Sequence, residues 1–181
     1  TGGSVRIPAA LCGAVGLKPT LGRVGRGGMM YLSTTRDVIG PMARTVEDAA
    51  LLLRAMAGPD PRDMDADPES APNYSRGLAR GLKGIRIGVP RKYFYEDNHP
   101  DVARLTEQAL KEMERLGATL VDVEVKNLDL ALPTGFAIVL PEAIYAMEIY
   151  LKQMDPQATI DKYLSQFGPD VQGILGGQKG T

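Results

Sequence analysis

Between Gly81 and Val125 the chain reads GLKGIRIGVPRKYFYEDNHPDVARLTEQALKEMERLGATLVDVEV, and this stretch restricts the fold more than any other. IRIGVP and TLVDVEV are short apolar runs of strand length. Between them, apolar residues recur at Val102, Leu105, Ala109, Leu110, Met113 and Leu116, the spacing of one helix face. Gly117 follows at once and supplies a C-terminal stop. Strand, helix and strand with short joints form a βαβ unit, which needs a sheet packed under helices. The expected fold class is therefore α/β.

The other elements alternate in the same way. TVEDAALLLRAMA, residues 45 to 57, starts with Thr45 as N-cap and Asp48 three residues on, and ends at Gly58 and Pro59. AVGLKPT predicts a short buried strand ended by Pro19, and GRVGRGG predicts a glycine-rich turn. That turn lacks the GxxxxGK[ST] spacing of a phosphate loop. A last helix is predicted over roughly 137 to 153, with Pro141 near its start and Ile138, Tyr145 and Ile149 on its core face. Asp63, Asp65 and Asp67 have the spacing that opens a calcium loop, but Pro68 stands where glycine is needed and Tyr74 where glutamate is needed. No metal site is expected.

Composition narrows the function classes. The chain has 181 residues, 44% hydrophobic and 24% charged, enough for the core of one soluble domain. With 21 basic and 22 acidic residues it carries no electrostatic footprint for a polyanion, so no direct nucleic-acid partner is expected. The one cysteine, Cys12, forms no internal disulfide and sits in AALCGAVGL, where it behaves as a small hydrophobe. The expected location is cytoplasmic. No run approaches the ~18 apolar residues of a membrane span, so no membrane partner is expected.

The chain opens with TGGSVRIPAALCG. Gly2 and Gly3 permit positive φ, and Pro8, with φ fixed near roughly −65°, suits a first helical turn. Ser4 then lies where a glycine turn feeds a helix, so that the N–H groups of Gly2, Gly3 and Ser4 can converge on one negative atom. That is the geometry of an oxyanion hole. A Gly-Gly-Ser run also serves as a linker or a plain helix cap, and these residues alone leave both readings open.

The longer run TGGSVRIPAALCGAVGLKPTLGRVGRGG, then TTRDVIGPMARTVEDAALLL, resembles the amidase signature family of Ser-cisSer-Lys hydrolases. The matching positions include Gly2, Gly3, Ser4, Arg6, Pro8, Ala9, Cys12, Gly13, Gly16, Lys18, Pro19, Thr20, Gly22, Arg23, Asp37, Gly40, Pro41 and Arg44. GLKGIRIGVPRKYF and FAIVLPEAIYAMEIYL continue the pattern over nearly the whole chain. The resemblance implies a mixed central β-sheet covered by helices, with residues 1–181 a partial domain truncated at both ends. It implies that Ser4 is the nucleophile and that the amides of Thr1, Gly2 and Gly3 form the oxyanion hole.

A serine hydroxyl needs a base. The resemblance implies a relay serine in a cis peptide bond and a lysine, both upstream of the GGS block, so that this piece alone is expected to be inactive. His99 reads as a helix-start residue, Lys18 as structural, and Arg6 as a support for the active-site turn through charge-assisted bonds.

MMYLSTTRDVIGPMART, with YLKQ and YLSQF later, is most similar to the indoleacetamide and mandelamide hydrolase branch. That branch implies small aromatic primary amides as substrates, with Met29, Met30, Tyr31, Phe136 and Ile138 as pocket walls, no cofactor, and a homodimer left open. The alternatives are a glutaminase like the amidotransferase subunit that works on misacylated tRNA, and a non-catalytic scaffold of the same family.

Overall fold

The computed structural model describes residues 2–176. Two compact units are present, one gathering Thr1–Ser75 with Thr134–Thr181, the other Arg76–Pro133.

In the first unit, helix α1 (Arg6–Leu11) carries Pro8 in its first turn, as expected for a residue without an amide hydrogen. Strand β1 (Val15–Gly16) pairs antiparallel with β2 (Met42–Ala43), in register Val15 to Ala43. Helix α2 (Val46–Met56) begins where the sequence indicates: the Thr45 hydroxyl accepts the Asp48 N–H at 3.0 Å. Ala49, Ala50 and Leu53 are its buried face.

The unit also contains most of the long helix α5 (Ala131–Met154), then α6 (Ile160–Tyr163) and α7 (Pro169–Gly176). Helix α5 corrects the sequence reading in two ways. It starts six residues before the expected 137, because Pro133 lies in the first turn, where an amide hydrogen has no partner to lose, and Pro141 is carried inside the helix. Its buried residues are Ala143 and Ala146, whereas Ile138, Tyr145 and Ile149 are exposed. The helix is turned from the face that bulk alone selects.

The stretch Leu128–Met154 is long and apolar enough, by length and composition, to cross a membrane, with a mean hydropathy of 1.5. This corrects the reading that no run approaches a span.

The second unit is the βαβ unit. Strand β3 (Arg86–Val89) lies parallel to β4 (Thr119–Asp122), with Arg86 opposite Thr119 and Val89 opposite Asp122. Between them come a single turn, α3 (Arg91–Phe94), and helix α4 (Pro100–Arg115). His99 caps α4, its Nδ1 accepting the Asp101 N–H at 3.3 Å. Gly117 ends the helix at φ +99°. Val89, Leu110 and Ala118 are buried, while Val102, Leu105 and Leu116 of the predicted stripe are exposed.

The fold class is α/β. Among the described residues its strands form two separate pairs rather than one central sheet.

Candidate active site

Ser4 stands in the turn that opens α1. Gly3 adopts φ +124°, a conformation that glycine takes without strain, and its carbonyl accepts the Ile7 N–H at 2.8 Å. Gly3 is buried and Ser4 is exposed. The Ser4 hydroxyl has no hydrogen-bond partner among the described residues, and the amides of Gly2 and Gly3 donate to none of them. Thr1, the remaining expected oxyanion donor, lies outside the described residues.

This turn rests on β1 through Gly16. A Cβ on Gly16 would lie 2.6 Å from the Val5 carbonyl oxygen and 2.7 Å from the Ala9 Cβ, so only glycine lets strand and turn approach this closely. Behind them, the Leu17 N–H donates to the Pro41 carbonyl at 3.1 Å.

A niche of about 10 Å³ beside the Ser4 turn is lined by Gly3, Val5, Arg6, Lys18 and Val38. Lys18 Nζ donates to the Pro19 carbonyl at 2.8 Å. The Arg6 side chain is exposed and makes no hydrogen bond or ion pair to another described residue, so its expected anchoring bonds are not among those present. Cys12 is also exposed, because it caps the end of α1 instead of facing the core.

The candidate wall residues occupy two segments that the fold joins. Met29, Met30 and Tyr31 lie on a loop that runs on to Asp37, and Phe136 and Ile138 lie on α5. Tyr150 Oη accepts the Tyr31 N–H and donates to the Met29 carbonyl, each at 2.9 Å. Glu142 accepts the Ser33 hydroxyl at 2.5 Å and the Thr35 hydroxyl at 2.7 Å. Arg36 donates to the Gly135 carbonyl at 3.1 Å, beside Phe136. Met30 and Phe136 are 66% and 55% exposed, as residues that present an apolar surface outward. Sequence reasoning missed Tyr150 and Glu142; polar residues inside an apolar helix were the available signal.

The glycine-rich turn is held by buried charge. Arg26, 2% exposed, donates from its backbone N–H and its Nε to Asp63 Oδ2 at 2.9 and 3.1 Å. It also reaches Asp65 and the Thr34 carbonyl, and its guanidinium lies 5.3 Å from the Tyr31 ring centre. Arg23 pairs with Asp67 at 2.7 Å. The three aspartates with calcium-loop spacing thus hold two arginines.

The hydrogen bond from Arg26 holds the Asp63 carboxyl below its ordinary range, and that from Ser33 does the same for Glu142. Burial pushes the Tyr31 phenol up. Among the described residues, no group of three His, Cys, Asp or Glu side chains could hold a metal ion. In the second unit a cavity of about 390 Å³ is lined by residues just after β3 and β4, including Lys92, Tyr93, Val123 and Lys126. No candidate wall residue lines either cavity.

Comparison with known proteins places this geometry. A family model described as Amidase matches residues 1–173. A glutamyl-tRNA(Gln) amidotransferase subunit from Pseudomonas savastanoi pv. phaseolicola is 44% identical over 182 residues, covering 95% of this chain and 38% of that protein. A Pseudomonas putida protein named amidase is 45% identical over 162 residues, covering 89% of this chain and 35% of that protein. The solved structure of native peptide amidase from Stenotrophomonas maltophilia superposes with a TM-score of 0.79 at 32% identity, covering 98% of this chain and 39% of that one. The chain therefore spans less than half the length of these relatives.

Proposed function

This chain belongs to the amidase family, and from that premise we propose that it carries the nucleophile of an enzyme that hydrolyses a carboxylic acid amide. One observation supports this above the rest: Ser4 stands exposed, its hydroxyl unpartnered among the described residues, directly behind the positive-φ Gly3. A linker serine would need neither a buried glycine before it nor a turn packed this closely on β1.

The chemistry follows from the donors available. Ser4 Oγ attacks the amide carbonyl carbon while a base accepts its proton. The Gly2 and Gly3 amides stabilise the oxyanion, each such donor contributing roughly 3 to 4 kcal/mol in comparable hydrolases. The C–N bond then breaks, the protonated amine or ammonia leaves, and water hydrolyses the acyl ester to free the acid and Ser4. The resemblance assigns the base to a lysine acting through a cis-serine upstream of the block. Lys18 is not that base in this reading, since its ammonium is engaged with the neighbouring Pro19 carbonyl.

The substrate proposed is a small aryl or apolar primary amide, for which Met29, Met30, Tyr31, Phe136 and Ile138 are the candidate walls; the apolar surface exposed at Met30, Phe136 and Ile138 is its support. A second reading has its own support in the 44% identity to a glutamyl-tRNA(Gln) amidotransferase subunit: the ammonia released would come from glutamine and pass to an acceptor.

The test uses the full-length protein and its Ser4→Ala variant. Aryl primary amides are supplied in one arm, and glutamine with glutamyl-tRNA(Gln) in the other. The expected result is loss of the acyl-enzyme burst with an unchanged Tm, because the exposed Ser4 hydroxyl holds no hydrogen bond that alanine loses. Turnover at the unmodified rate in the variant would overturn the assignment.

A further inference from the structure

We infer that the outward row of α5 formed by Ile138, Tyr145 and Ile149 is an interior face of the complete protein, covered by the part of its own polypeptide outside residues 1–181. The inference goes beyond the amide-hydrolysis reading and does not depend on it. The three residues are seven and four apart, so they stand in line along the helix, and all three are exposed. What holds α5 to the first unit lies elsewhere: Ala143 and Ala146 are its buried residues, and Glu142, Glu148 and Tyr150 make its polar ties to Thr35, Ile160 and Tyr31. The bulky apolar row is left without cover.

The surface as a whole carries the same surplus. The accessible area of a folded monomer grows as about the 0.73 power of its mass, which gives about 8,500 Å² for 19.4 kDa, or about 10,000 Å² with the two units counted as separate bodies. The chain exposes 12750 Å². More than about 2,000 Å² is therefore in excess whichever way the units are counted. The apolar residues that are buried are correspondingly small: seven of the thirteen among the described residues are alanine, and none is aromatic. Larger ones stand exposed on α1 (Ile7, Leu11), on α2 (Leu51, Leu52) and on α4 (Val102, Leu105) as well as on α5.

Size and charge select the occupant. A bilayer suits the row poorly, because α5 has one basic residue, Lys152, against Glu142 and Glu148, where a helix lying in a membrane surface carries a basic polar face. A second copy would have to cover more than about 2,000 Å² of each chain, at the top of the obligate range, and reach α1, α2 and α4 besides. The remaining polypeptide has the size required. This chain covers 38% of the amidotransferase subunit and 39% of the peptide amidase to which it is similar, so in each of them more than half of the protein is available to lie against such a surface.

The experiment uses the full-length protein carrying Tyr145→Cys, Ile149→Cys or, on the polar side of α4, Lys111→Cys, labelled with a water-soluble maleimide and read site by site. Each rate in the native protein is compared with the rate at the same site in urea. At positions 145 and 149 native labelling is expected to be at least about 100-fold slower, since it must wait for local opening, while at position 111 it slows less than about fivefold. The protection is expected to persist over an about fiftyfold dilution and to be the same with and without vesicles of phosphatidylcholine and phosphatidylglycerol. Native labelling at 145 and 149 as fast as at 111 would overturn the inference. So would protection lost on dilution, the result for a second copy, or protection seen only with vesicles, the result for a membrane. Should the cysteine variants fold poorly, oxidative footprinting of Tyr145 in the unmodified protein takes their place: a rate at least about tenfold below that in urea is expected, and equal rates would overturn the inference. Neither readout requires turnover, so the amidase reading stands or falls separately.

Discussion

Replacing Gly16 with alanine tests whether the placement of Ser4, the proposed nucleophile, depends on strand β1. Gly16 is not in the positive-φ region, so alanine adds no backbone strain there. The added Cβ meets the Val5 carbonyl oxygen at 2.6 Å and the Ala9 Cβ at 2.7 Å, where 3.4 Å is the start of ordinary contact. Either the turn or the strand must then retreat by about 0.7 Å, and both obstacles are short, stiff groups that cannot rotate away.

Overpacking of this kind costs about 1 to 3 kcal/mol. The displaced group is the turn that holds Ser4, and a misplacement of about 1 Å lowers the rate by about 100-fold. In the full-length enzyme the expected result is a lowered denaturation midpoint, a kcat down by about 30- to 100-fold, and a KM changed far less. Gly40, whose Cβ would lie 2.1 Å from the Leu17 carbonyl oxygen just past the end of β1, gives a comparison in which overpacking is equal or worse but the Ser4 turn is not the direct neighbour. Unmodified kcat in a destabilised Gly16→Ala enzyme would refute the argument.

Substitutions at two further positions test the scaffold. Asp63→Ala leaves the buried Arg26 with the more exposed Asp65 as its remaining carboxylate partner, and a loss of about 3 kcal/mol is expected in chemical denaturation of the full-length protein. The Asp63 carboxyl titrates below its ordinary 3.8 when folded, so its stabilisation is complete above that value and disappears as pH falls through the depressed one; Asp63→Asn should flatten stability against pH in this acid window, and an unchanged slope would count against the Arg26 tie. Thr45→Ala removes the acceptor of the Asp48 N–H and should cost about 1 kcal/mol with an unchanged m-value, read from the urea midpoint.

The elements legible from local pattern were those whose cause is local. Thr45 caps α2 and Gly117 ends α4 because a cap is decided within one helical turn, and the βαβ unit followed from periodicity and short joints. The start of the last helix, expected near 137 with Pro141 close to it, lies at Ala131, since Pro133 in the first turn loses no hydrogen bond and Pro141 is carried inside. Burial failed in a consistent direction. Bulk pointed to Ile138, Tyr145 and Ile149, but α5 turns its alanines inward, because its neighbour is a loop rich in polar ties. Cys12, in an apolar stretch of sequence, stands at the exposed end of a short helix in space.

The GGS turn needed little beyond its own residues. Two glycines, a serine and a following proline permit a turn that feeds a helix but also a linker or a plain cap, and the structure has Ser4 in the turn that opens α1. The ties that hold the site together are of another kind. Arg26 finds Asp63 across 37 residues and Tyr31 finds Tyr150 across 119, and no window along the chain contains both partners. Hydrogen bonds and ion pairs of this sort carry no periodicity; they exist only once burial has brought the two backbones together, which is why the elements could be written down from the chain and these ties could not.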